Sequence, residues 1–142
     1  MKPVLFDYAV AQSLNDAQNA LQNGQSKFIS GNQSLGPMMN LRLARPAALV
    51  DLSQLPELRK VEEHDGYIRF GAAITHAEIE DGVVPDPTGH WMQAAAANIA
   101  YRAVRNRGTI GGSLAHADPA ADWVIVLTAL CATVIVRGSE DN

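Results

Sequence analysis

The first 52 residues alternate β-prone and helical runs in an order that few architectures accommodate. Lys2–Tyr8 reads as a strand. Ser13 stands where a helix N-cap belongs, with Asp16 three residues on as an Asp variant of the capping box. Leu14, Ala17, Ala20 and Leu21 then fall at helical spacing, and Gly24 follows at the C′ position. Lys27-Phe-Ile-Ser30 reads as a second strand and Gly31–Ser34 as the turn leaving it. Ser34 can cap a short helix through Pro37, Met38 and Met39 to about Leu43. Pro37 falls in its first turn, where a missing N–H costs nothing. Leu49-Val-Asp-Leu52 is a third strand. Strand–helix–strand–helix–strand predicts a small α/β lobe built on a parallel sheet.

Ser53–Leu58, with Pro56 and little periodicity, marks a boundary, giving lobes over residues 1–55 and 56–142. Val61–Glu63 and Tyr67–Gly71 flank His64-Asp-Gly66, the pattern of a β-hairpin with Asp-Gly at its tip. Thr75-His-Ala-Glu78 is a capping box opening a short helix. Gly82–Gly89 is a loop, and the alanines of His90–Ala97 favour a helix. Asp118 as N-cap and Pro119 at N1 predict a helix running to about Leu130. Ala132–Val136 is then a β-branched strand, followed by Gly138-Ser-Glu-Asp-Asn142. That strand has no following partner, so more of the second lobe is expected beyond residue 142.

Several functions are disfavoured by the totals. With 47% hydrophobic and 18% charged residues the chain is an ordinary soluble globule. A net charge of −4 argues against a nucleic-acid footprint. Cys131 is the sole cysteine, which excludes an internal disulfide and a thiolate cluster; its apolar neighbours predict a small buried residue. No charged start precedes an apolar stretch in the manner of a signal peptide. Trp123–Val136 is too short to span a bilayer, so the cytoplasm is the expected location. The histidines at 64, 76, 90 and 116 have no H-E-x-x-H spacing, and His116-x-Asp118 alone does not make a metal site. Ser34 and Ser113 lack a nucleophile elbow. With no self-sufficient acid–base pair, no catalytic residue is assigned, and reactive chemistry falls to a cofactor.

Two glycine-rich segments are the candidates for holding one. Ser30-Gly-Asn-Gln-Ser-Leu-Gly36 follows a strand and precedes a helix, an arrangement that presents amides to phosphate. Arg105-Asn-Arg-Gly-Thr-Ile-Gly-Gly-Ser-Leu-Ala-His-Ala-Asp-Pro-Ala-Ala-Asp122 carries glycines at 108, 111 and 112. Such a run is either a tight turn or an anion-binding nest. In the second case the amides of Thr109–Ser113 bind a pyrophosphate, helped by the hydroxyls of Thr109 and Ser113. Gly111 is then the place where a side chain blocks the phosphate. Asp122 is either an acceptor for ribose hydroxyls or a first-turn helix carboxylate. Arg105 and Arg107 either face phosphate or pin neighbouring carbonyls and carboxylates, and they are not assigned to the ligand. Neither G-x-G-x-x-G nor G-x-x-x-x-G-K-[ST] occurs, which disfavours a Rossmann domain or P-loop.

Gly31-Asn-Gln-Ser-Leu35, Leu41-Arg-Leu-Ala-Arg-Pro46, Leu49-Val-Asp-Leu52 and the run Val104–Asp122 together resemble the FAD-binding medium subunit of the molybdenum hydroxylases, the carbon monoxide dehydrogenase and xanthine dehydrogenase type. The resemblance covers essentially the whole chain, in order. It implies an α+β, two-lobed FAD-binding fold of the vanillyl-alcohol oxidase type: a small N-terminal α/β lobe plus a larger, truncated α+β lobe. It implies that Phe28, Ile29, Ser30, Gly31, Asn32, Gln33, Ser34 and Leu35 line the FAD pyrophosphate together with Thr109, Ile110, Gly111, Gly112 and Ser113. Asp122 would contact the flavin nucleotide, and Ile99 would wall the adenine. Asn32 stands where many relatives have a second glycine, and Ser113 where asparagine is frequent.

In that family electrons pass from a molybdopterin large subunit through a small subunit with two 2Fe-2S clusters to FAD, and on to NAD, a quinone or another acceptor. The implied function is therefore a FAD-binding electron-transfer subunit. The alternatives are a stand-alone FAD-dependent oxidoreductase of the same fold and a truncated assembly fragment. Family members continue past the length of this chain and draw further flavin contacts from there.

Overall fold

The computed structural model describes residues 2–21 and 24–138. Its first part runs β1 (Asp7–Val10), α1 (Leu14–Leu21), β2 (Ser26–Ile29), α2 (Leu35–Asn40) and β3 (Ala48–Asp51). The strands form one sheet in the order β1-β3-β2, and both pairings are parallel. β3 is the centre: Ala48 is opposite both Asp7 and Ser26, and Asp51 opposite both Val10 and Ile29. Strand alternation sends its two buried residues, Leu49 and Val50, to opposite faces. Leu49 packs with Ile29 and Met39 beneath α2, whereas Val50 packs with Ala11, Ala17 and Leu55 beneath α1.

The sequence placed the first strand at Lys2–Tyr8, but pairing begins only at Asp7 because four-residue β3 offers no partner for anything earlier. At the start of α1 the Asp16 amide donates to Ser13 Oγ at 3.0 Å, while Asp16 Oδ2 accepts from Gln12 N at 2.9 Å. The box thus closes one residue earlier than its usual form. Gly24, at φ +65, returns its amide to Leu21 O at 3.0 Å. α2 stops at Asn40 rather than Leu43 because Arg42 turns left-handed at φ 60, and the amides of Leu43 and Ala44 fold back onto Met38 O.

After a 3-10 turn at Pro56–Leu58, β4 (Val61–His64) and β5 (Tyr67–Phe70) form the expected hairpin around Asp65-Gly66. α3 (His76–Glu80) opens with a complete capping box: Thr75 Oγ1 accepts from Glu78 N at 3.2 Å, and Glu78 Oε2 accepts from Thr75 N at 2.8 Å. Then come α4 (Trp91–Asn98), α5 (Arg102–Arg105), α6 (Ile110–His116) and α7 (Asp122–Ala129). Ile74, Ile79, Met92, Ala96, Ile110, Trp123 and Val126 form their shared core.

Four expectations change here. The glycines at 111 and 112 lie inside α6, not in a loop. Asp118 does not cap a helix that starts at once. It closes the turn between α6 and α7, where its Oδ1 accepts from Ala120 N at 2.9 Å, and the next helix begins at Asp122. Ala132–Val136 forms no strand, since an apolar run needs a neighbouring strand and none pairs with it among the described residues. Cys131, expected to be buried, is exposed and left-handed at φ 53 as α7 ends. Residues 139–142 of the expected tail lie outside the described residues.

Candidate functional site

The two glycine segments meet. A Cβ on Gly31 would lie 1.9 Å from Arg107 O and 2.7 Å from Gly108 Cα, so only glycine lets the turn after β2 sit on the approach to α6. Beside this contact opens a cleft of about 590 Å³. Ser30 and Gly31 line it from one side, Arg107 and Thr109 from the other, and Thr75 and Glu78 from the start of α3. Arg59 pairs with Glu78 and donates to Ala73 O at 3.0 Å, fixing the wall between them.

The first segment is poised and partly unsatisfied. Phe28 and Ile29 belong to β2, with Ile29 buried. Asn32 is left-handed at φ 56, a conformation asparagine tolerates better than most residues. Gln33 Nε2 donates to Gly31 O at 2.8 Å and tightens the turn. Ser34 precedes α2 without a side-chain cap, and Leu35 is its first residue. The backbone amides of Asn32, Gln33 and Ser34 meet no acceptor among the described residues. Ser30 Oγ and Asn32 Oδ1 are buried without a hydrogen-bond partner among the described residues. Buried polar groups are nearly always satisfied, so two orphans in one turn call for an explanation.

The second segment is satisfied from within. Ile110 N donates to Ile74 O at 3.0 Å, Gly111 N to Ala72 O at 2.9 Å and Ser113 N to Thr109 O at 3.0 Å. Gly112 N donates to Thr109 Oγ1 at 3.1 Å, making Thr109 the N-cap of α6. Of the amides read from sequence as a nest, those of residues 110–113 are therefore engaged by the protein. Gly111 has a packing reason to be glycine: a Cβ there would lie 2.5 Å from Ala72 Cβ. Ile110 is buried in the core, while Gly112 is exposed. Asp122 is exposed and is the first residue of α7, and Ile99 ends α4 against the core. Apart from Ser30, Gly31 and Thr109, the residues picked from sequence do not line the cleft.

The arginines separate. Arg105 pins Glu80 through Nε and Nη2 at 2.7 and 3.0 Å and donates to Ile99 O at 3.0 Å. Arg107 is exposed on the cleft and has no ion-pair partner among the described residues. Its charge reaches Asp51 at the end of β3. Burial opposes ionisation there, but the Tyr8 hydroxyl at 2.6 Å, Ser53 and Arg107 outweigh it and hold the Asp51 carboxyl below its ordinary value. Arg59 and Thr75 were not singled out for the site, and Arg107 was weighed with Arg105 but left unassigned; the capping box was legible, but not which surface it would face.

Residues 4–142 match the family described as the FAD binding domain in molybdopterin dehydrogenase. The chain belongs to that family. The 6-hydroxypseudooxynicotine dehydrogenase complex subunit alpha of Paenarthrobacter nicotinovorans is 45% identical over 142 residues, covering 99% of this chain and 48% of that protein. The nicotine 6-hydroxylase medium subunit of the same organism is 44% identical over 138 residues, covering 96% of this chain and 49% of that protein. Among solved structures, quinoline 2-oxidoreductase from Pseudomonas putida 86 superposes with a TM-score of 0.83 at 36% identity, over 92% of this chain and 46% of that one. The mixed α/β fold is thus that of these FAD-binding subunits. The chain spans about half the length of the curated relatives it matches.

Proposed function

We propose that this chain is the FAD-binding, electron-transfer part of a molybdenum hydroxylase medium subunit. In this reading it receives electrons from an iron–sulfur small subunit served by a molybdopterin large subunit, and delivers them to an acceptor such as NAD or a quinone. Residues 1–55 and 56–142 are its two lobes, in a fold of the vanillyl-alcohol oxidase type, each with its own sheet and most of its own core. The chemistry that FAD supplies when bound is acceptance of electrons and their release to a second carrier.

The observation that carries the reading is the turn Ser30–Ser34. Its hydroxyl and its free amides are donors of the kind a pyrophosphate needs, and Asn32 Oδ1 awaits a donor such as a ribose hydroxyl. Arg107 adds positive charge at the cleft. Ile29 and Leu35 pack together behind the turn, and Phe28, exposed on β2, stays in the role the resemblance gives it beside the pyrophosphate. Ile110–Ser113 form a wall rather than a set of amide donors, with exposed Gly112 allowing close approach and the Ser113 hydroxyl at its edge. Asp122 and Ile99 keep the nucleotide-side roles assigned above. A micromolar complex requires about 8 kcal/mol. Bonds to charged phosphate contribute about 1.5–3 kcal/mol each before ordering costs, so burial of the rings supplies the remainder.

Titration of FAD with the purified chain, followed by flavin fluorescence, tests this. Saturable binding at one FAD per chain is expected, with competition by ADP, which shares the diphosphate and adenosine. Flavin emission that never responds to the chain would rule the reading out. The place in electron transfer is tested by co-purification with iron–sulfur and molybdopterin polypeptides.

A further inference from the structure

Ala72–His76 is the strip on which the second glycine segment is mounted. Beyond the bonds from Ile110 and Gly111 already described, His76 N donates to Gly108 O at 2.9 Å, and Thr75 and Thr109 form an antiparallel bridge. The His76 side chain adds a link that the backbone cannot make. Its Nδ1 accepts from Trp123 Nε1–H at 2.9 Å, and both residues are buried, at 5% and 0% exposure. An indole N–H only donates, so Nδ1 must be the unprotonated nitrogen and Nε2 carries the proton of the neutral ring. Nε2 lies against Gly108, where a Cβ would come within 2.7 Å of it. One imidazole therefore touches the first glycine of the second segment and the tryptophan adjacent to Asp122.

We propose that His76 is a positioning residue that couples Gly108–Ser113 to α7 and thereby sets the spacing between that segment and Asp122 in the FAD site. The inference rests on the FAD reading above. The coupling requires a neutral ring. Burial pushes the imidazole down to about 4, with Asp122 on α7 opposing the shift and Arg105 on α5 adding to it. The unfolded ring takes its proton near 6.5, so between these values the unfolded chain binds more protons. This contribution to stability is complete above about pH 6.5 and is lost as pH falls towards about 4.

The test uses the 142-residue chain with His76→Leu, His76→Asn and Trp123→Phe, each checked by circular dichroism for native content. Asparagine puts an amide oxygen near the Nδ1 position and cannot titrate; leucine offers no acceptor. His76→Leu should weaken FAD binding about tenfold and speed amide exchange across Gly108–Ser113 in the cofactor-free chain. His76→Asn should restore affinity to within about threefold of the unsubstituted chain while flattening the dependence of the unfolding midpoint on acid pH. Should His76→Leu fail to fold, Trp123→Phe, which removes the donor together with part of a buried ring, is expected to give the same exchange change. A native-like His76→Leu with unaltered affinity and exchange overturns the proposal, as does an asparagine variant as impaired as the leucine one. If the unsubstituted chain binds no FAD, that reading fails, and the exchange data alone decide whether His76 couples the two elements.

Discussion

The Ser30–Ser34 turn and the Thr109–Ser113 helix start both carry glycine between hydroxyl residues, yet they satisfy their backbones differently. In the first, three successive amides and two buried oxygens lack partners among the described residues. In the second, the amides of residues 110–113 all have one, two of them on the distant strip Ala72–Ile74. The glycines differ accordingly. Gly111 makes room for Ala72, and Gly31 makes room for the second segment itself. Glycine density therefore reports close backbone approach, but what approaches can be another part of the chain as readily as a ligand. The unsatisfied turn is the better claimant to a phosphate, and the satisfied one is the surface it leans on.

The contact between the segments gives the largest expected effect. Gly31→Val places a branched side chain where a Cβ already falls 1.9 Å from backbone. Because the second segment is tied to Ala72–His76 and the first is anchored directly to β2, a loss of about 3 kcal/mol in urea unfolding is expected. A midpoint equal to that of the unsubstituted chain would mean that the segments do not touch. Next comes a pair within α6. Gly111→Ala meets Ala72 at 2.5 Å and should cost about 1–3 kcal/mol. Gly112→Ala meets only Thr109 Oγ1 at 2.8 Å, and roughly 1 kcal/mol of gained helix propensity offsets the disturbed cap. Its net change should stay within about 1 kcal/mol; the opposite ranking would undo the packing account of Gly111.

The same contrast shows where sequence reasoning succeeded. The parallel sheet, the hairpin at Asp65-Gly66 and the Thr75–Glu78 box were legible because alternation, turn chemistry and capping are local. α6 was not, because its start depends on Ile110 entering the core and on carbonyls from Ala72 and Ile74, distant in sequence. Asp118 misled because a good N-cap residue also closes turns. Ala132–Val136 misled because β propensity is realised only beside another strand. At the site, the contact between the two glycine segments was legible only as two loops able to serve one ligand. The orphaned atoms of Ser30 and Asn32, and the separation of pinned Arg105 from an Arg107 with no ion-pair partner among the described residues, depend on how distant segments fold together.

Ser30→Ala has the smallest expected effect on folding and separates the two segments most cleanly. Its hydroxyl is buried without a partner, so the folded chain bears that desolvation cost with nothing to offset it. Removing it should leave stability unchanged or raise it by up to about 1 kcal/mol. With FAD present the same hydroxyl is expected to donate to phosphate, and its loss should weaken binding about tenfold or more, the equivalent of about 1.5 kcal/mol. Ser113→Ala, in the satisfied segment, should move affinity less. A Ser30→Ala chain that is destabilised but binds FAD with undiminished affinity would make the first turn as structural as the second. The assignment of phosphate to Ser30–Ser34 would then have to be withdrawn.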